Sequence, residues 1–196
     1  MTEHNISAII ALLFRTLRMK HPLIKKAAKF AAKAHGDISH RRKYTNEPYI
    51  VHPAQVAHMV SKVTDDVVMI AAAWLHDTVE DTPVSIEDIR REFGNEVAEL
   101  VDDLSDVAKP EDGNRAVRNE INRKHTATAS PRAKTIKLAD LIDNTKSIVE
   151  HDHDFAIVYL KEKELVLEVL TEGDQTLYNM CSESLIQSKL QLLDQL

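Results

Sequence analysis

The sequence predicts an all-α protein. Glycine and proline are scarce, with 4 and 6 residues among 196. Apolar residues recur with the spacing of helices, and the alternation typical of strands is nearly absent. The length suits one domain with a sizeable core. We therefore expect one helical domain over residues 23–196, after a helical N-terminal extension over residues 1–22.

Composition excludes several classes of function. The formal net charge of -6 argues against binding to a nucleic-acid polymer or an anionic membrane. Cys181 is the single cysteine, so an intrachain disulfide is excluded and a reducing, cytoplasmic location is favoured. Residues 6–14 are apolar apart from Ser7, but they are too few to span a bilayer. They are predicted to pack on the domain or on a partner, and Met19 is an alternative start.

The first half of the chain shows three predicted helices. The first covers residues 23–35 and has an alanine-rich apolar face, with Gly36 suited to its end. A polar loop with three consecutive cations follows. Pro53 fits the first turn of the second helix, which runs to about Val63. Thr64 or Asp65 then caps a third, central helix that is predicted to stop at residues 82–83.

The second half of the sequence predicts shorter helices followed by longer ones. Ser85 and Asp88 resemble a capping box for a helix that ends at Gly94. Further helices are predicted over residues 96–104 and 115–129. Ser130 caps the next one, with proline at its first position. The last two cover residues 154–171 and 175–193.

The central helix ends in an unusual cluster. Its apolar run leads into His76, Asp77, Glu80 and Asp81, which stand at positions i, i+1, i+4 and i+5. Three acids near a helix C-terminus oppose the helix dipole, and unpaired charges on a buried-type segment are costly. Such a local conflict is expected at a functional site. A bound cation would remove both objections.

Four residues form a candidate metal-ligand set: His52, His76, Asp77 and Asp140, from three predicted helices. Two imidazoles and two carboxylates suit manganese, iron or zinc, with positions open for water and a phosphate oxygen. A structural role stays open for each residue taken singly. His52 could be a capping or packing residue, and Asp140 a solvated acid.

Two further elements could complete a site. Glu80 and Asp81 could move protons for an attacking water, or could be a polar helix end. Residues 41–43 carry three cations that could bind phosphates and stack on a base, or could be a solvated surface.

These residues stand in longer recognisable strings. HDTVEDT begins at His76, RKYTNEPYIVHP begins at Arg42, and KLADxxxN begins at Lys137. Together they resemble the HD metal-dependent phosphohydrolases, and specifically the hydrolase domain of the RelA/SpoT family as a stand-alone small alarmone hydrolase. The resemblance covers about residues 23–173.

The resemblance implies a compact bundle of about ten helices that holds one Mn²⁺ and removes pyrophosphate from the 3′ position of (p)ppGpp. The small nucleotide would be the binding partner, and a homo-oligomer is left open. The residues that match the family's functional positions fall into three groups. They are the metal ligands His52, His76, Asp77 and Asp140, the catalytic acids Glu80 and Asp81, and the substrate-binding residues Arg42, Lys43, Asn144 and Ser147.

The chain departs from the family pattern before Arg42. Ser39 and His40 stand near the place where a glutamine is common, so the base preference stays open. The chain could instead be a hydrolase that prefers adenosine 3′-pyrophosphates or the 2′-phosphate of NADPH. An HD 5′-deoxynucleotidase, a non-catalytic alarmone-binding module and a helical scaffold are the remaining hypotheses.

Overall fold

A computed structural model describes residues 20–193. Within that range the chain forms ten α-helices and a 3-10 helix at Pro110–Asp112. The only extended pairing there is an isolated bridge between Arg41 and Pro48. The all-α prediction is therefore confirmed. The predicted N-terminal extension lies outside the described residues, except for residues 20–22, and the first helix of the described range begins at Pro22.

The described chain divides into two compact units between Ser105 and Asp106. No helix among residues 20–193 has the length and apolar character needed to cross a bilayer. The one-domain organisation over residues 23–196 stays a prediction. The two units are described separately below.

The first unit is built around one buried helix. Its helices are α1 (Pro22–Asp37), α2 (Val51–Val63), α3 (Val67–Leu75), α4 (Thr78–Asp81), α5 (Ile86–Phe93) and α6 (Asn95–Leu104). Helix α3 contacts α1, α2 and α6, and every residue from Met69 to Leu75 is buried. A helix that is apolar on all sides is expected at the centre of a core.

Local signals explain most helix ends in this unit. The Ser85–Asp88 capping box is confirmed at the start of α5, and Gly94 follows the helix with a φ of 88°. Helix α3 is capped by Asp66 rather than by Thr64 or Asp65, because the Asp66 carboxylate accepts from the amides of Val68 and Met69.

The predicted continuous central helix is wrong in one respect. Helix α3 ends at Leu75, His76 and Asp77 form a turn, and the four-residue α4 follows. The Thr78 hydroxyl donates to the Leu75 carbonyl at 2.6 Å, so it takes a carbonyl that a continued helix would have used. The acids Glu80 and Asp81 therefore lie in the first turn of a separate short helix.

The second unit contains α7 (Arg115–Thr128), α8 (Pro131–His151), α9 (His153–Glu168) and α10 (Gln175–Leu193). Helix α8 contacts both α9 and α10. The predicted cap of α8 is confirmed, because the Ser130 hydroxyl accepts from the Ala133 amide at 3.3 Å. Helix α7 is rich in charged residues and carries no buried residue.

Candidate active site

His76 lies at the centre of the candidate site, directly after α3. It is buried, and its Nδ1 lies 2.9 Å from the Ala73 carbonyl oxygen. A carbonyl only accepts, so Nδ1 carries the hydrogen and Nε2 of the neutral ring keeps its lone pair. A backbone carbonyl commonly orients metal-binding histidines in this way.

His52 and Asp77 meet His76 at that lone pair. The two Nε2 atoms are 3.3 Å apart. Asp77 Oδ2 lies 3.4 Å from His52 Nε2 and 3.2 Å from His76 Nε2. With metal–nitrogen bonds of about 2.0–2.1 Å, two donors on one cation are separated by about 2.9 Å at right angles and about 3.3 Å in a tetrahedron. All three separations lie at or close to this range.

Tyr49 supports this group and was not identified from the sequence. Its hydroxyl donates to Asp77 Oδ2 at 2.6 Å. The bond fixes the rotamer of Asp77 and leaves its charge partly satisfied, which is the usual role of a residue behind a metal ligand. The signal was present in the string PYIVHP, where Tyr49 stands three residues before His52.

Asp140, the fourth predicted ligand, lies on α8 in the second unit and is buried. Its Oδ1 accepts from the Asn144 side chain at 2.6 Å, and its Oδ2 lies 3.0 Å from Lys137 Nζ. Asp140 and Asn144 are four positions apart, which is about one helical turn, and their side chains are in direct contact. Ser147 is half-buried on the same helix. The roles of all three stay predictions.

The two predicted catalytic acids lie on α4. Both residues are exposed. The pKa of the Asp81 carboxyl is raised, chiefly because neighbouring protein removes part of its hydration and also because of the negative charge of Asp77. Asp81 therefore keeps a proton to higher pH than an ordinary aspartate, which suits a group that donates one.

The basic loop is ordered as a small hairpin. The Arg42 amide donates to the Glu47 carbonyl at 2.9 Å, and the Tyr49 amide donates to the His40 carbonyl at 3.1 Å. Arg42 is half-buried, whereas Lys43 is exposed with its Nζ 4.6 Å from the centre of the Tyr44 ring. The hairpin runs directly into α2, so it connects these cations to His52.

A second cluster beside the first was not predicted as a site. His35, at the end of α1, has its Nδ1 3.1 Å from Nδ1 of His40. Burial is the main cause that lowers the pKa of His35, to about 4, so the ring is neutral near pH 7. Asp81 lies close to both rings.

Comparison with known proteins agrees with the family resemblance found in the sequence. The HD domain family matches residues 27–165. The guanosine-3′,5′-bis(diphosphate) 3′-pyrophosphohydrolase MESH1 of Xenopus tropicalis is 37% identical over 132 residues, which cover 64% of this chain and 69% of that protein. A solved structure of a metazoan ortholog of SpoT, described as hydrolysing ppGpp, has a TM-score of 0.77 at 28% identity. It covers 85% of this chain and 96% of its own.

Longer proteins match as well. The guanosine-3′,5′-bis(diphosphate) 3′-pyrophosphohydrolase of Aquifex aeolicus is 35% identical over 125 residues, and the chain covers only 18% of its length. The family match nevertheless extends over more than half of the chain, and MESH1 is covered over more than two thirds of its own length. The chain belongs to the HD domain family, in the group that includes MESH1.

Proposed function

We propose that this protein is a metal-dependent hydrolase that removes pyrophosphate from the 3′ position of (p)ppGpp-type alarmones. The observation that carries the proposal is the triangle formed by His52 Nε2, His76 Nε2 and Asp77 Oδ2. These residues stand in the strings that resemble those of the alarmone hydrolases. The names of the matching relatives, MESH1 among them, point to the same substrate.

An HD domain implies a divalent cation, and we propose Mn²⁺ with Asp140 as the fourth ligand. The residues fit such an ion: the His76 tautomer presents a lone pair, and three donor atoms of the first unit meet at suitable separations. When bound, the cation would polarise a phosphate oxygen and lower the pKa of a water molecule. Imidazole with carboxylate suits manganese, and geometry alone does not select it over iron or zinc.

The acids on α4 would move the protons. In the reaction, a water oxygen joins the 3′-phosphorus, the bond from phosphorus to the ribose 3′-oxygen breaks, and that oxygen receives a proton. We assign acceptance of the water proton to Glu80. We assign donation to the leaving oxygen to Asp81, because its pKa is raised above that of an ordinary aspartate.

Cationic, amide and hydroxyl side chains would hold the substrate. Arg42 and Lys43 lie on a hairpin whose backbone is ordered by hydrogen bonds, so less backbone entropy is lost when they bind phosphates. Asn144 and Ser147 are proposed to contact the ribose and its phosphates. A small nucleotide is thus the proposed partner.

The test compares three substrates. Manganese-loaded protein is incubated with ppGpp, with an adenosine 3′-pyrophosphate and with NADPH, and the released product is identified. Pyrophosphate from ppGpp supports the proposal, whereas pyrophosphate from the adenosine compound alone would reassign the base. The proposal would be overturned if NADPH were the only substrate that reacts, with release of a single phosphate. It would also be overturned if the manganese-loaded protein turned over none of the three.

A matched pair of variants tests the ligand set. Asp140→Asn should lower manganese affinity and turnover together, because an amide is a weaker ligand than a carboxylate. Asp143→Asn removes a neighbouring acid on the same helix and should leave manganese affinity unchanged. Equal affinity of both variants would reject Asp140 as a ligand.

A further inference from the structure

A second group of possible ligands lies in the first unit. His35, His40 and Asp81 each offer one ligand atom, and the three atoms lie within 4.8 Å of one another. None of the three belongs to the set formed by His52, His76 and Asp77. The group joins the end of α1, the start of the basic hairpin and the end of α4.

The two imidazoles have the separation of donors on one cation. Their Nδ1 atoms are 3.1 Å apart, between the values of about 2.9 Å and 3.3 Å that follow from metal–nitrogen bonds of about 2.0–2.1 Å. A shared proton also allows this distance, since one ring can donate to the other. The third group is the Asp81 carboxylate, which hydrogen-bonds with the Tyr49 side chain and lies close enough to add an oxygen ligand.

His35 is buried with one of its two ring nitrogens unpaired. The residue is only 1% exposed, and its Nε2 is buried without a hydrogen-bond partner. A buried polar atom without a partner is rare in proteins, so the position of His35 is not explained by hydrogen bonding alone. Ligation through Nδ1 would not pair Nε2, but it would use the lone pair of a neutral imidazole that is already held in place by burial.

Tyr49 connects this cluster with the first one. Its ring stacks on His40 with 3.8 Å between centroids, and it lies 4.8 Å from the centre of the His35 ring. The same residue donates its hydroxyl to Asp77. The second cluster is therefore adjacent to the first and shares a rigid neighbour with it.

We propose that His35, His40 and Asp81 form a second site for a divalent cation of the imidazole-preferring class, such as Zn²⁺. Two imidazoles and one carboxylate form a recurrent zinc-ligand set and leave one position open. The binding proposal does not depend on the identity of the substrate. Its consequence for turnover does rest on the proposed function, because the cation would occupy the carboxylate of Asp81.

Stoichiometry tests the binding. Equilibrium dialysis of metal-free full-length protein against Zn²⁺ should give about two bound ions, against about one for His40→Gln. His153→Gln is the matched control, since it removes an exposed imidazole from the second unit and should keep about two. Circular dichroism and thermal unfolding establish that each variant is folded. Asp77→Asn should lose the first site and keep the second.

The outcomes separate this proposal from the proposed function. Two ions on His40→Gln, or a single ion on the wild type, would overturn the second site whatever the protein hydrolyses. Kinetics then test the consequence: added Zn²⁺ should inhibit the manganese-loaded wild type more strongly than His40→Gln. Both proteins keep the first site, so equal zinc inhibition would refute an effect through Asp81. Absence of turnover in both would count against the proposed function, while dialysis still decides the site.

Discussion

Replacing Tyr49 by phenylalanine would test how the candidate metal centre is supported. The substitution removes one oxygen and keeps the ring that stacks on His40. The lost interaction is the 2.6 Å hydrogen bond to Asp77 Oδ2. We expect weaker binding of Mn²⁺, because Asp77 loses the donor that fixes its rotamer and must reorganise when the cation binds.

The magnitude follows from the charge and burial of the acceptor. A hydrogen bond to a charged group contributes about 1.5–3 kcal/mol, and about 1.4 kcal/mol corresponds to a tenfold change in an equilibrium constant. The expected loss in affinity is therefore about 10-fold to 160-fold, which overlaps the 10–100-fold typical of residues behind metal ligands. The Asp77 side chain is only 14% exposed, so water replaces the hydroxyl incompletely.

Isothermal titration with Mn²⁺ measures the effect directly. Tyr178→Phe is the matched control, because it removes a hydroxyl from a half-buried tyrosine of α10 in the second unit. The control should keep the wild-type affinity. If Tyr49→Phe binds Mn²⁺ within about twofold of the wild type, the hydrogen bond does not orient a ligand. The role assigned to Tyr49 would then be rejected.

Three further predictions concern the acids and the fold. Glu80→Gln should bind Mn²⁺ normally but lose about 10²–10⁴-fold in kcat, because an amide cannot accept the proton. Ser85→Ala should lower the free energy of unfolding by about 1 kcal/mol in urea titrations. The hydrogen bond from the Ser85 hydroxyl is the main cause that lowers the pKa of Asp88 to about 2. The stabilisation that Asp88 provides is therefore complete above about pH 4 and is lost as the pH falls toward 2. Gly173→Ala should destabilise by about 1–3 kcal/mol, because the new Cβ would lie 2.8 Å from a leucine methyl carbon. Gly36→Ala, with open space at its Cβ, should be neutral or slightly stabilising.

Each of these predictions has a clear contrary result. Loss of Mn²⁺ from Glu80→Gln would make Glu80 a ligand instead of a proton acceptor. If the difference between Ser85→Ala and the wild type grows at low pH, the assigned direction for Asp88 is wrong. Equal stability of the two glycine variants would contradict the crowding at Gly173.

Helix positions were largely predictable because their signals are local. The last helix has the predicted bounds, residues 175–193, and the caps at Ser85 and Ser130 lie where the sequence places them. A cap or an apolar stripe acts within one or two turns of its own residues. The family strings likewise indicate residue types in a fixed order, which led to His52, His76 and Asp77 without any coordinates.

The break between α3 and α4 was not predictable by the same reasoning. Spacing places His76 above Glu80 on a continuous helix, whereas the Thr78 hydroxyl captures the Leu75 carbonyl and the chain turns at His76 and Asp77. Periodicity does not record such competition between a side chain and the backbone. The turn also places the two acids in a separate helix from the histidine that precedes them.

The sequence by itself determined the fold class, most helix ends and the identity of the residues proposed to carry the chemistry. Only the tertiary structure decided how those residues meet. His52 and His76 are 24 positions apart, and Tyr49 and Asp77 are 28 positions apart, so nothing local encodes their contacts. The tautomer of His76, the support from Tyr49 and the neighbouring group of His35, His40 and Asp81 arise from side chains that packing brings together. Helix formation depends on near neighbours in the chain, whereas a binding site depends on near neighbours in space.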